Sequence, residues 1–176
     1  MTVIDKLKQL GYTTIPEEFY TQVGVWKSWY QGNVKGFHRY KRYNGHDWVN
    51  CDRVTLGMGK KVCEDWANLL MNEKVQITLE GQKEQEFIDR ILTANNFTVK
   101  ANEMQEMKSA LGTVAYIPRV VGQTVSETGE PIPGDASGLV LDYVTIEHIF
   151  PLAWQNGFIT ECAFDSVVTR AGKNYL

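Results

Sequence analysis

Residues 57–73 read GMGKKVCEDWANLLMNE. Met58, Val62, Trp66, Leu69 and Leu70 recur at helical spacing and fall on one side of a helix. Lys60, Lys61, Glu64, Asp65 and Asn68 fall mostly on the other. The pattern predicts an amphipathic helix whose apolar face packs on a core. A strand is expected next at Val75–Leu79, where Val75, Ile77 and Leu79 alternate with Gln76 and Thr78. Two more helices follow by the same period. One lies near 82–94 and gathers Phe87, Ile88, Ile91 and Leu92; the other lies near 101–111, gathers Met104, Met107 and Leu111, and stops at Gly112.

Upstream, Val3, Ile4, Leu7 and Leu10 predict a short helix closed by Gly11. Thr14 to Glu17 has capping-box spacing with Pro16 in the first turn. Phe19, Val23, Trp26 and Tyr30 then form an aromatic-rich stripe on a helix ending near Gly32, expected to pack on the 57–73 helix in preference to a neighbouring copy. Asn44-Gly45 between aromatic and β-branched stretches marks a hairpin.

After Thr113 the period changes. Val114–Val121 reads as a strand, and Pro118 makes it an edge or a bulged strand. Residues 122–138 hold four Gly and two Pro, a long loop or hairpin tip. Leu139–Val144 reads as a strand, 147–157 as a turn anchored by Phe150 and Trp154, and Phe158–Val168 as a further strand. Gly172-Lys-Asn is a candidate hairpin turn. A strand running into that turn lacks a following strand to pair with, an unusual place for a complete protein to stop. The order gives an α+β fold: N-terminal helices packed on a mostly antiparallel sheet. We expect one domain over 1–176, helix-rich over 1–111 and strand-rich over 112–176.

Composition narrows the function. The 176 residues carry a formal charge of −3, are 43% hydrophobic and 22% charged, and hold three cysteines. Collagen-like, coiled-coil and wholly disordered classes are excluded by that balance. No apolar run approaches the ~20 residues that cross a bilayer. The opening MTVIDKLKQLGY has no basic segment followed by an apolar one, so no secretory signal is expected. Cys51, Cys63 and Cys162 are too few and scattered for a disulfide framework and read as reduced thiols. Charge is uneven. Residues 24–61 hold eight Lys and Arg against two Asp, a net of +6; the remainder holds ten against nineteen, a net of −9.

Motifs for catalysis fail on their own chemistry. Gly57-Met-Gly-Lys-Lys has Val at position 54 and Lys at 61, so the spacing and hydroxyl of a phosphate-binding loop are missing. His38, His46, His148 and the cysteines show no Cys-x-x-Cys or His-x3–5-His pair, so no metal site and no cofactor are expected. Glu17-Glu18 and Glu64-Asp65 are sequence neighbours that diverge on a helix and cannot share one substrate. No catalytic residue is assigned. VKGFHRYKRY, residues 34–43, is the candidate for polyanion contact, since cations alternate with aromatic rings that stack on bases. The blander reading is a strand with a structural or subunit-contact role.

Three stretches carry a resemblance: GYTTIPEEFYTQVGVWKSWYQGNVKGFHRYKRYNG over 11–45, LGMGKKVCEDWANLLMNEKVQI over 56–77, and IFPLAWQNGFITECAF over 149–164. Together they resemble the portal proteins of tailed bacteriophages and prophages of Gram-positive bacteria, collinearly and over nearly the whole chain. The resemblance implies a structural, non-enzymatic virion protein made in the bacterial cytoplasm. Its copies would form a ring at one capsid vertex, the channel for double-stranded DNA during packaging and ejection. Implied partners are other portal subunits, terminase, scaffold or capsid proteins and head-tail adaptors, with no membrane.

Family members are more than twice this length, so the resemblance covers the N-terminal wing portion. An incomplete piece, excised or left by a truncated prophage, is expected, monomeric or weakly associated on its own. Lys35, Arg39, Lys41 and Arg42 are the candidates for DNA or subunit contact. Phe19, Trp26, Tyr30 and Trp66 are the candidates for packing or a subunit interface. The alternative is a stand-alone nucleic-acid-binding domain using residues 34–43.

Overall fold

The computed structural model describes residues 2–72, 75–121, 138–165, 168–170 and 173–175. Helix α1, Val3–Gln9, opens on a reciprocal cap. Thr2 Oγ1 accepts the Asp5 N–H at 3.1 Å, and the Asp5 carboxylate accepts the Thr2 N–H at 2.9 Å. Gly11 closes it with φ +87°, a conformation costly for other residues. Helix α2 spans Glu17–Tyr30, but the capping box expected at Thr14 is not formed. Pro16 occupies the N-cap, which leaves Thr14 two positions too far out, and its buried hydroxyl has no partner. Glu17 and Glu18 in the first turn complement the helix dipole instead.

Helix α3 is Met58–Leu70, α4 is Gln82–Ala94 and α5 is Phe97–Leu111. Only Asn95 and Asn96 join α4 to α5, and Asn96 takes φ +48° to turn the corner, so α5 starts four residues earlier than periodicity suggested. Gly112, with φ +88°, ends it as expected.

The strands pair as β1 (Arg39–Tyr43) with β2 (Trp48–Asp52), and β3 (Val114–Val121) with β4 (Gly138–Thr145). A 3-10 turn at Ile146–His148 leads to β5 (Ile149–Gln155), which pairs with β6 (Phe158–Phe164). Finally β7 (Val168–Arg170) pairs with β8 (Lys173–Tyr175). The four strand pairs among the described residues are antiparallel, and the fold is α+β. The described strands form four two-stranded ribbons in place of one continuous sheet.

Several local expectations are corrected. Residues 149–155 are a strand, not part of a turn, and the turn is Asn156-Gly157, both at positive φ. That pair is the two-residue connection whose twist matches flanking strands. At the C-terminal end, Lys173 and Asn174 belong to β8, so the 168–175 strands satisfy each other. Residues 75–79 belong to no helix and join no ladder. The Val75 N–H turns back to the Asn72 carbonyl at 3.1 Å, and the chain is extended over 77–79, where Gln85 bonds the Ile77 carbonyl and the Leu79 N–H on one side. The long loop lies outside the described residues, apart from Gly138.

The core lies where α2, α5 and β5 converge. Val23, Leu111, Ile146 and Ile149 are buried together, with Phe19, Ala110, Ala115, Val144 and Cys162 packed around them. Tyr20 extends this contact by donating to the Ile149 carbonyl at 2.9 Å and meeting the Phe150 ring at a 30° tilt, centres 5.2 Å apart. Helix α5 is central and packs on α2, α3, α4, β3 and β4.

The orientation of α3 reverses the sequence expectation. Ala67 is wholly buried and Cys63 half-buried, while Met58, Val62, Trp66, Leu69 and Leu70 are exposed, Leu69 by 69%. A Cβ at Gly59 would sit 3.5 Å from the Trp29 carbonyl, so α3 crosses α2 closely there. Gly59, Cys63 and Ala67, four residues apart, form a small-residue strip that allows close helix approach. The bulky stripe is rotated about 100° from it, as neighbouring helical residues are.

Candidate interaction surfaces

The β1–β2 hairpin carries the basic candidates. Register pairs Arg39 with Asp52, Tyr40 with Cys51, Lys41 with Asn50, Arg42 with Val49 and Tyr43 with Trp48. Side chains alternate across the ribbon, so Arg39 and Lys41 share one face and Arg42 the other. Lys35 is bridged to Arg39 and lines the same shallow recess as Arg39, Lys41, Asn50 and Asp52. The four candidate cations are therefore split three to one. Asp52 opposite Arg39 dilutes the charge of the larger group.

Arg53 is a contact residue that residue type and spacing alone do not single out. Its guanidinium lies 4.7 Å from the Phe37 ring centre and 4.8 Å from that of Tyr40. This double cation–π contact ties the hairpin to its root. There His38 is buried, accepts the Val34 N–H at Nδ1 (2.8 Å) and meets Trp29 and Phe37. Trp26, Trp29, Phe37, Arg53, Leu56 and Met58 line part of an apolar cleft of about 770 Å³ beside this cluster.

The α2 candidates separate. Phe19 packs on the core and meets Trp26 edge-on at 6.2 Å. Trp26 is 40% exposed. Tyr30 donates to the Glu106 carboxylate on α5. Burial first, and that acceptor second, push the Tyr30 phenol well above its ordinary range. Trp66 is 55% exposed in the outward stripe of α3. The structure thus gathers Phe19 with Trp26, sets Tyr30 on the wall of the same apolar cleft as Trp26, and places Trp66 elsewhere.

Two side-chain amides act as surrogate strands. Asn95 Nδ2 donates to the Leu139 carbonyl at 2.7 Å and to the Ile91 carbonyl at 2.9 Å, while Oδ1 accepts the Leu141 N–H at 2.9 Å. Lys100 donates to the Leu141 carbonyl at 2.8 Å and pairs with Asp142, which also binds Arg119. These cations hold the Asp142 carboxyl below its ordinary range. Gln85 repeats the amide device on the extended segment: Nε2 donates to the Ile77 carbonyl at 3.0 Å and Oε1 accepts the Leu79 N–H at 2.7 Å. Bonding the carbonyl of one residue and the N–H two positions later is what a residue of a parallel neighbour does. Neither amide was legible from the sequence, because each acts on a segment whose neighbour depends on tertiary packing.

Burial pushes the Cys63 and Cys162 thiols up, away from the thiolate form. Among the described residues, no three His, Cys, Asp or Glu side chains gather where they could hold a metal ion. No described helix is long and apolar enough to cross a membrane.

No curated protein and no solved structure matches this chain. The family profile described as phage portal protein, SPP1 Gp6-like, matches residues 12–130. That span contains α2 to α5, the basic hairpin and β3, and covers more than half of the chain. The portal family is structural, in keeping with the contact surfaces described above. The chain therefore belongs to the phage portal protein family, SPP1 Gp6-like.

Proposed function

We propose that this chain is a wall segment of the portal ring at the capsid vertex. The ring is the channel for double-stranded DNA and the platform for terminase, scaffold or capsid proteins and the head-tail adaptor. The observation that carries this reading is the outward stripe of α3. Met58, Val62, Trp66, Leu69 and Leu70 face solvent on one helix, joined by exposed Val54 and Leu56 just before it. A contiguous apolar stripe on a charged surface is a protein-contact feature. In a ring of identical copies it meets a different face of the next copy.

Within that reading the chain acts as one domain over 1–176, with α5 and the β3–β4 and β5–β6 ribbons sharing its packed core. Trp26 and Trp66 serve subunit contact, Phe19 and Tyr30 internal packing. Lys35, Arg39 and Lys41 form the polar contact face, with Arg42 behind it. No catalytic step is assigned to any residue.

Electron microscopy of the product of the whole reading frame that contains these residues tests the proposal. Closed rings are expected. A solitary particle that turns over a small molecule overturns it.

A further inference from the structure

We propose that copies of this chain join by strand addition, the outer edge of β2 in one copy pairing with residues 75–79 of the next. The inference rests on the ring reading above and names a contact within it.

The receiving edge is open. Residues 75–79 alternate Val75, Ile77 and Leu79 with Gln76 and Thr78, as strands do, yet no strand lies beside them among the described residues. Gln85 occupies the Ile77 carbonyl and the Leu79 N–H on one side. In an extended chain the peptide groups of Gln76 and Thr78 point to the opposite side. Both residues are exposed, and neither shows a hydrogen bond among the described residues. An exposed, unpaired extended segment is a template for another strand.

The donating edge follows from the hairpin ladder. Arg53 N–H donates to the His38 carbonyl at 2.7 Å, and Asn44 N–H donates to the Asp47 carbonyl at 3.0 Å. The antiparallel alternation between those ends turns the peptide groups of Trp48, Asn50 and Asp52 outward. On the β1 side the Arg39 end of the outer edge is already used: Gly36 N–H donates to the Arg39 carbonyl at 3.0 Å, beside the Lys35 bridge. The β2 side carries no such cover among the described residues, and Trp48 stands 68% exposed at its start. Strand β2 and the receiving segment are each five residues long.

Charge selects a second copy as the occupant. Residues 35–53 hold Lys35, Arg39, Lys41, Arg42 and Arg53 against Asp47 and Asp52, a net of +3. Residues 80–89, directly after the receiving segment, hold Glu80, Glu84, Glu86 and Asp89 against Lys83, a net of −3. A basic hairpin laid beside that segment meets its opposite charge. The two edges are different surfaces, so each copy keeps one free for the next, the arrangement that builds rings.

The test uses the full chain with Cys51→Ser. Copies carrying Asn50→Cys are mixed with copies carrying Thr78→Cys or Gln76→Cys and mildly oxidised. A covalent dimer containing one of each is expected only in the mixture. In sedimentation velocity without cysteine variants, Thr78→Pro should weaken self-association about tenfold or more. Lys41→Glu with Arg42→Glu should do likewise, and adding Glu80→Lys with Glu84→Lys to that chain should restore association.

Equal cross-linking in unmixed samples, unchanged association of Thr78→Pro, or no self-association at any concentration overturns the proposal. The ring reading fails separately. Rings from the whole reading frame that ignore Thr78→Pro sink this contact alone, whereas absence of rings sinks the ring itself.

Discussion

Asn95 Oδ1 accepts the Leu141 N–H at 2.9 Å, and through that bond the end of α4 takes the place of a third strand beside β4. The consequence reaches across the ribbon. Leu139 and Leu141 present their peptide groups to Asn95 and Lys100, away from β3. Their register partners are Val120 and Pro118. Those pairs are therefore non-hydrogen-bonded ones, and the missing N–H of Pro118 falls where the ladder has no bond to lose.

Replacing Asn95 by Leu is expected to destabilise the fold by about 2–4 kcal/mol, because it strands a donor and acceptors in a buried place. Asn95→Asp should be comparably harmful, since a carboxylate cannot donate to Leu139. Urea unfolding checks both. A loss under about 0.5 kcal/mol, the range of an ordinary surface change, would contradict the role given to this amide.

The outward and inward sides of α3 should respond oppositely. Trp66→Glu and Leu69→Glu should leave unfolding stability within about 0.5 kcal/mol of the parent. Ala67→Leu should cost about 1–3 kcal/mol by overpacking against α5. A larger penalty for the outward pair than for Ala67 would show that the apolar stripe is core after all. Sedimentation of the same variants reads their effect on association.

Alkaline pH should expose the buried phenols. Desolvation first, then the nearby Cys162 and Asp165, push Tyr20 up to about 12 from an ordinary 10. The folded state thus keeps a proton that the unfolded chain gives up. Stability from Tyr20 is intact below about pH 10 and is lost as pH rises toward about 12. Tyr30 adds to the slope in the same direction. Tyr20→Phe should flatten the fall in unfolding free energy between those pH values, while losing the bond to Ile149. An unchanged slope would contradict it.

DNA affinity separates a ring wall from a stand-alone nucleic-acid-binding domain. With its candidate cations split across the hairpin and Asp52 among them, a single copy should bind duplex DNA no tighter than about 10 µM at physiological salt. A titration at two salt concentrations checks this. Nanomolar binding, with a salt slope lost in Arg39→Ala/Arg42→Ala, would favour the stand-alone domain.

Local signals carried much of the fold. Gly11 and Gly112 marked helix ends, Asn44-Gly45 marked the first hairpin, and the periods of α2 to α5 were visible along the chain. What failed depended on partners. The apolar stripe of α3 suggested the buried face, but Gly59, Cys63 and Ala67 let α5 and α2 approach on another side. Residues 75–79 had strand alternation, which says nothing about whether a neighbour exists. Asn156-Gly157 was readable as a turn signal and was overshadowed by the aromatic residues around it. For the candidate surfaces, residue type located the basic hairpin, but only register showed that Arg42 faces away from Arg39 and Lys41.

Electron microscopy of the product of the whole reading frame is the most direct test of the account. Class averages should show closed rings of identical subunits, with the segment described here forming part of the wall. Particles that remain single subunits at every concentration would contradict it.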